Sequence, residues 1–90
     1  VLYQNYPNPF NGQTKITFDL LENAKLSLYI TDAKGRVQDR ILEEEFYNSG
    51  TYNFLWDAEH LSSGIYFISL HAEVDHLPPA LISRKMIFLK

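Results

Sequence analysis

The chain has no cysteine, only four glycines and four prolines, no excess of positive charge and no long hydrophobic run. The absence of cysteine excludes disulfides, thiolate metal ligands and a cysteine nucleophile, and it leaves the redox compartment open. Net charge is −3, and the 8 Lys and Arg residues form no cluster. Nucleic-acid binding is therefore disfavoured, because phosphate contacts need grouped cations. No apolar run approaches the ~20 residues of a membrane span, so no membrane insertion is expected.

What the chain does contain is enough apolar material for one modest core. Its 90 residues are 46% hydrophobic and 21% charged, which is typical of a globular chain. This length allows one domain, which would bury roughly 60–65% of the surface of the unfolded chain. The first residue is Val1 rather than Met. We therefore expect a fragment of a longer precursor, with any export signal upstream.

An unusual stretch near the start alternates prolines and asparagines between two aromatic residues. It consists of Tyr6, Pro7, Asn8, Pro9, Phe10 and Asn11. Proline lacks a backbone N–H and has a fixed φ, which excludes a helix or a central strand. The residue before each proline is pushed to extended geometry, and the asparagines can form turns by bonding to nearby backbone. We interpret this stretch as a rigid, extended segment that Tyr6 and Phe10 pin to a core, within a Pro/Asn-rich lead-in with linker that spans residues 1–13.

Alternation of apolar and polar residues predicts β-strands in the remainder of the chain. The predicted strand segments are residues 14–20, 24–31, 37–42, 51–56, 64–73 and 82–90. The segment 37–42 alternates weakly, which indicates a bulge or an edge strand, whereas 64–73 is apolar on both faces and is predicted to be central. About seven short strands with regularly spaced turns predict an all-β fold. The expected architecture over residues 14–90 is a seven-stranded antiparallel sandwich of immunoglobulin or fibronectin type III.

A small set of residues is expected to shape turns and sheet contacts. Residues 32–35 have the composition of a type I turn followed by a glycine at positive φ. Tyr66 resembles the tyrosine corner of Greek-key sandwiches, in which the hydroxyl bonds to backbone upstream. Asp57 is interpreted as a turn residue that caps the following loop. The expected structural residues are Gly35, Gly50, Trp56, Asp57, Gly64 and Tyr66.

No side-chain pattern predicts catalysis, a metal site or a cofactor. His71 and His76 could approach each other at a strand end, but they lack the tight ligand spacing of a zinc site. Ser62 and Ser63 have no nucleophile-elbow context. The run 43–45 of three glutamates is interpreted as a solvated edge that discourages aggregation, with a cation site as the alternative.

Four blocks, in this order along the chain, resemble one family. They are Leu2 and residues 4–11 with 14–18; residues 28–37 with their Gly-Arg hairpin; residues 50–52 and 56–57 with 63–67; and residues 84–90. Together they resemble the C-terminal sorting domain of proteins exported by the type IX secretion system of Bacteroidetes-like bacteria. Two departures stand out: Gly12 and Gln13 replace a frequent Pro and Thr, and residues 73–83 form a longer, more apolar link to the last strand.

The resemblance implies a seven-stranded immunoglobulin-like sandwich that serves as a non-catalytic address. Its partners would be the outer-membrane translocon, a sortase-like peptidase that cuts on the N-terminal side of the domain, and a covalently linked upstream cargo. The cargo, often a glycoside hydrolase, a peptidase or an adhesin, would cross the periplasm. It would then be attached to surface lipopolysaccharide or released.

Two segments are candidates for the surface that the translocon recognises. One is the stretch 6–11; the other is the end of the last strand, Lys85, Met86, Ile87, Phe88, Leu89 and Lys90. If the predicted strand 82–90 is a sheet edge, its free N–H and C=O groups can pair with a receptor strand. The alternative is that this strand only closes the sheet.

Two other functions stay open at this level. The domain can be a structural spacer or a carbohydrate-binding accessory module of a secreted enzyme, in which Tyr3, Tyr29 or Tyr47 would stack on sugar rings. Tyrosine on a sheet surface is, however, also ordinary β-propensity. The other alternative is the related immunoglobulin-like module of flagellar hook-capping proteins, which shares the Asp-x-x-Gly-Arg hairpin and the Trp-Asp block.

Overall fold

The structure is a computed structural model that describes all residues from Val1 to Lys90, and it contains six β-strands and no helix. The strands are β1 (Gln13–Leu20), β2 (Ala24–Asp32), β3 (Val37–Tyr47), β4 (Gly50–Asp57), β5 (Gly64–Glu73) and β6 (Ala80–Phe88). β1 and β4 form a two-stranded sheet, and the other four form a sheet in the order β3-β2-β5-β6. All neighbouring strands are antiparallel, so the predicted all-β antiparallel class is confirmed. No helical membrane span is present.

The predicted count of seven strands is wrong. β3 does not end at Leu42 but continues to Tyr47 through the three glutamates. Register shifts against β2, together with a positive φ of 49° at Glu44, absorb the irregularity that the weak alternation indicated. The lead-in is paired with the sheets, but only through isolated bridges, so it does not form a seventh strand.

The predicted positions of strands within the larger sheet are confirmed. β5 lies between β2 and β6, as its two apolar faces indicated, and β3 is an edge strand with bulges. The glutamates at 43–45 are exposed on that edge, as the solvated-edge interpretation requires. β5 ends at Glu73 and β6 begins at Ala80, so Pro78 and Pro79 lie in the connection, where their missing N–H groups cost no ladder bond.

The inward side chains of both sheets and of the lead-in form one buried cluster. The cluster includes Leu2, Phe10, Ile16, Phe18, Leu26, Leu28, Ile30, Trp56, Ile68, Met86 and Phe88. Burying each large side chain contributes about 1.5–3 kcal/mol. Ser27 is buried between the inward-facing Leu26 and Leu28, and its hydroxyl accepts the Glu44 N–H at 3.1 Å. The bulge in β3 thus supplies a donor that the alternation could not reveal.

Local turn chemistry follows the sequence closely. Gly35 has a φ of +83°, and its N–H donates to the Asp32 carbonyl at 3.0 Å, which confirms the predicted turn. The Asp32 carboxylate accepts the backbone N–H groups of Lys34 and Arg36, both at 2.9 Å. Gly50 also has a positive φ, of 150°. Gly64 begins β5 without one, and a Cβ there would meet no atom within 4 Å, so nothing in the structure requires glycine.

Candidate recognition surface

The first half of the lead-in runs beside β1 and extends the smaller sheet. The N–H groups of Tyr3 and Tyr6 donate to carbonyls of β1 at 3.0 and 3.1 Å. β1 donates in return to Val1 at 2.8 Å and to Tyr6 at 2.8 Å. Antiparallel bridges at Leu2 and Tyr6 mark the same pairing. The lead-in is therefore held by backbone hydrogen bonds.

The second half of the lead-in crosses to the other sheet and pairs with the end of β6. The Phe10 N–H donates to the Ile87 carbonyl at 3.0 Å, and the Leu89 N–H donates to the Phe10 carbonyl at 2.8 Å, in a parallel bridge. The Asn8 side-chain oxygen accepts the Ile87 N–H at 2.9 Å. Gln4 Nε2 donates to the Lys85 carbonyl at 2.7 Å. The two segments singled out in the sequence are therefore brought together at one place.

This pairing limits the free edge that was considered for the predicted strand 82–90. β6 is the edge strand of its sheet, but it ends at Phe88, and from residue 85 onward its outward backbone groups largely bond to the lead-in. Alternate residues of an antiparallel strand direct N–H and C=O to the same side. Because Ile87 bonds outward, Ser83 and Leu81 also present their backbone groups outward, and no lead-in residue takes them. We call residues 81–84 the open edge.

The anchors of the lead-in differ from those predicted. Phe10 is buried as expected, but Tyr6 is 76% exposed, so its predicted role as a pin is wrong. Its backbone pairs with Lys15, and its ring is left in solvent. Leu2, with no exposed surface, and Asn5, 2% exposed, are the inward residues instead.

Asn5 and Thr14 form a buried polar link that sequence reasoning missed. Asn5 Nδ2 donates to the Pro7 carbonyl at 3.1 Å and to Thr14 Oγ1 at 2.9 Å, and the Thr14 hydroxyl donates to the same carbonyl at 2.8 Å. Gln4 Nε2 donates to Asn5 Oδ1 at 2.8 Å. The peptide bonds before Pro7 and Pro9 are both cis. The only sequence signal for this link was that Asn5 immediately precedes the Tyr-Pro pair.

An aromatic row connects the lead-in to both sheets. The Phe10 ring stacks on Phe88 with centroids 5.1 Å apart and lies 6.0 Å from Trp56. Trp56 in turn meets Tyr66 at 6.5 Å and donates its indole N–H to the Asp39 carboxylate at 2.9 Å. Such aromatic pairs add about 0.5–1.5 kcal/mol beyond their buried area. Phe10 is thereby fixed against β4 and β6.

The remaining predicted structural residues make local contacts. The hydrogen bond predicted for Tyr66 is present, because its hydroxyl donates to the Ser62 carbonyl at 2.6 Å. Asp57 Oδ1 accepts the Glu59 N–H at 2.9 Å, which is the loop cap expected of it. Both contacts fix the connection between β4 and β5.

The two candidate segments present some of their residues to solvent and bury others. Met86 and Phe88 have no exposed surface and belong to the core. Lys90 is tied to a neighbouring loop, because its ammonium donates to the Glu59 and Leu61 carbonyls at 2.8 and 3.3 Å. The exposed residues form what we call the recognition surface: Tyr6, Pro7, Pro9, Asn11, Lys85 and Leu89.

The recognition surface combines rigid apolar groups with a cation. Pro7, Pro9, Phe10, Asn11 and Leu89 line a shallow groove of about 400 Å³. Leu89 is 56% exposed. Lys85 is exposed two residues before Ile87, and Ile87 is the register partner of Ile65 on β5, which is itself 44% exposed. Contiguous exposed apolar groups are a common feature of protein contact sites.

The start of the lead-in is fixed by a shared carboxylate. Asp19 on β1 accepts the Thr51 hydroxyl at 2.6 Å and the Tyr3 hydroxyl. The hydrogen bond from Thr51, and then that from Tyr3, lower the pKa of Asp19. The same carboxylate raises the pKa of Tyr3, first through the hydrogen bond and then through its charge. Lead-in, β1 and β4 are thus joined at one point.

The other candidate chemistries find no matching arrangement. No three His, Asp or Glu side chains are grouped so that they could hold a metal ion. The tyrosines considered for sugar stacking lie on separate elements: Tyr3 on the lead-in, Tyr29 on β2 with Arg40 5.9 Å above its ring, and Tyr47 at the end of β3, edge-on to Tyr52. The structure therefore does not assemble them into one stacking platform.

Comparison with known proteins gives one family and no close relative. A family model described as the secretion system C-terminal sorting domain matches residues 4–83. Neither the curated proteins nor the solved structures give a significant match. The matched range contains residues 6–11 of the lead-in and five of the six strands in full. The chain therefore belongs to the secretion system C-terminal sorting domain family, whose members carry the C-terminal sorting signal for type IX secretion.

Proposed function

We propose that this domain is the non-catalytic signal that directs an upstream cargo across the outer membrane through the type IX machinery. The cargo is then attached to the cell surface or released. A single observation carries the proposal: the lead-in is joined to the end of the last strand. Three hydrogen bonds connect residues 6–11 to residues 87–89, and a fourth connects Gln4 to Lys85. Family membership supports the machinery as the partner.

The fold type proposed for this signal is an immunoglobulin-like sandwich. Two sheets that bury one common core, with the lead-in crossing from one to the other, support it. The division into a lead-in, residues 1–13, and a domain, residues 14–90, stays a prediction. The buried Leu2 and Phe10 support treating the two parts as one folded unit.

Recognition by the translocon is proposed to use two adjoining features. The recognition surface supplies rigid side chains, since proline rings lose little conformational freedom on binding. The open edge supplies unpaired N–H and C=O groups to which a receptor strand can add. Lys85 belongs to the recognition surface and directly follows the open edge in the chain. Its positive charge favours a partner with acidic residues at the rim of its binding site. A sortase-like peptidase is proposed to act on the N-terminal side.

The test of the side-chain surface is delivery of a reporter. The 90-residue chain is fused behind a periplasmic reporter in a host that has the secretion system, and the reporter is measured at the surface and in the medium. We expect the double variant Tyr6→Ser and Leu89→Ser to lower delivery several-fold, because both side chains are exposed and neither supports the core. The matched control is Leu55→Ser, at an exposed leucine on β4.

The test of the open edge uses proline. Ser83→Pro removes one outward N–H and leaves the pairing with β5 in place, whereas Ser83→Ala keeps that N–H. Both variants lose the 3.0 Å contact between the Ser83 and Ser69 hydroxyls, so the pair isolates the backbone group. Reduced delivery with proline alone supports strand addition. If the Ser83→Pro chain and the Tyr6→Ser, Leu89→Ser double variant are both folded and both deliver the reporter normally, the proposed recognition surface and open edge are contradicted.

A further inference from the structure

An apolar groove of about 180 Å³ opens at the opposite end of the lead-in, beside Val1. Its apolar walls come from β1, β5, β6 and the chain after β5: Leu20, Leu70, Ala72, Val74, Ala80 and Ile82. This groove lies away from the crossing of Phe10 to β6, and none of the contacts described above fills it.

The register of the first residues shows what points toward the groove. Leu2 stands opposite Phe18, and Val1 exchanges two hydrogen bonds with Asp19, at 2.8 and 2.9 Å. One step further back, the residue before Val1 would stand opposite Leu20, which lines the groove. Side chains alternate along a paired segment. Leu2 is fully buried and Val1 is 58% exposed, so the preceding side chain points inward.

We propose that the groove is the docking site for the segment of chain immediately before Val1, and that an apolar side chain adjacent to Val1 fills it. The inference rests on the proposed function, because a C-terminal signal is joined at its N-terminus to the cargo that it delivers. The cargo linker therefore leaves the domain as a continuation of the segment paired with β1. Its freely accessible part begins beyond the docked residue.

The size and lining of the groove define the side chain that it takes. An apolar cavity of about 150 Å³ holds a benzene-sized group, so the groove accommodates valine, leucine or isoleucine. Asp19 and Glu22 also border the groove, so an acidic side chain would lose hydration there and meet charges of its own sign. Removing a branched aliphatic side chain from water favours folding by roughly tenfold or more in the equilibrium constant.

The experiment compares two extensions of identical composition. One chain carries Ser-Ile before Val1, with the isoleucine adjacent to Val1; the other carries Ile-Ser, which turns the isoleucine outward. We expect the first chain to have a folding equilibrium constant about tenfold larger in urea unfolding. Its isoleucine methyl groups should show nuclear Overhauser contacts to Leu70 and Ile82, and those of the second chain should show none.

Equal stabilities in the two chains, with no such contacts, overturn the proposal. An acidic residue immediately before Val1 in the precursor overturns it as well, because that side chain would point into a groove bordered by Asp19 and Glu22. Delivery of the reporter is a separate measurement. If delivery fails while the two extensions still differ in stability, the proposed function is wrong and the groove assignment stands. If delivery succeeds while the two extensions are equally stable, only the groove assignment is wrong.

Discussion

Asn5 shows at the scale of single residues how the lead-in is held. Its side chain is almost fully buried and bonds to Thr14, to the Pro7 carbonyl and to Gln4. We expect Asn5→Ala to lower the free energy of unfolding by about 1–3 kcal/mol, because it leaves buried polar partners unpaired. Urea unfolding measures this cost. Asn11→Ala, at an exposed asparagine of the same stretch, is the control and should change stability by less than about 0.5 kcal/mol.

A second prediction at the residue scale concerns pH and the Asp19–Tyr3 contact. The folded chain lowers the pKa of Asp19, so the stability gained is present above the unfolded pKa of about 3.9 and is lost as pH falls through the folded pKa. It raises the pKa of Tyr3, so that contribution is present below about pH 10 and is lost as pH rises through the folded pKa.

The pH dependence of unfolding checks both signs. Asp19→Asn should flatten the acid loss relative to the unmodified chain, and Tyr3→Phe should flatten the alkaline loss. A Tyr3→Phe chain that loses stability above about pH 10 as steeply as the unmodified chain would show that this contact does not govern the lead-in.

Single-residue predictions from the sequence succeeded where the partner is close in the chain. The turn at Gly35 and the hydroxyl contact of Tyr66 each involve residues four or fewer positions away. The pinning role of Tyr6 was wrong, because its backbone pairs with Lys15 and its ring stays in solvent, and the partner of Asn8 was not predicted, because Ile87 lies 79 positions along the chain. Composition shows that an asparagine seeks a partner, but it does not show which one.

At the scale of elements, the two halves of the outer edge of β6 differ. Its end is covered by the lead-in, and residues 81–84 are open. We expect the amides of Ile87 and Leu89 to exchange slowly with deuterium and those of Leu81 and Ser83 to exchange fast, although none of the four faces β5. Hydrogen exchange followed by NMR measures this directly. Uniformly fast exchange would mean that the lead-in does not stay paired.

The existence of the strands was predictable because alternation is a local signal. The bounds of β1 and β2 were predicted to within one residue, and the central place of β5 followed from its two apolar faces. The length of β3 was not predicted correctly, because a bulge at Glu44 lets the strand continue through three glutamates that interrupt the alternation of apolar and polar residues. The coverage of the last strand was equally hidden, because it depends on a segment from the other end of the chain.

At the scale of the whole molecule, both ends of the chain belong to one core. Phe10 stacks on Phe88, and Met86 is fully buried. A domain of this size has a net stability of about 5–15 kcal/mol. Truncating a buried methionine costs about 2–5 kcal/mol and a buried phenylalanine about 3–5 kcal/mol. The end of the chain is therefore needed for folding, independently of any role as an address.

Deletion of residues 86–90 is consequently expected to unfold much of the population rather than to remove a signal from an intact domain. Circular dichroism and urea unfolding should show lost cooperativity in the deleted chain. The pair Leu89→Ser and Lys90→Ser, which keeps Met86 and Phe88, should stay folded because Leu89 and Lys90 lie outside the core. A cooperative, folded deletion chain would contradict this expectation. Delivery lost by the folded pair would locate recognition at the surface, whereas delivery lost only by the deletion would assign this end of the chain to folding.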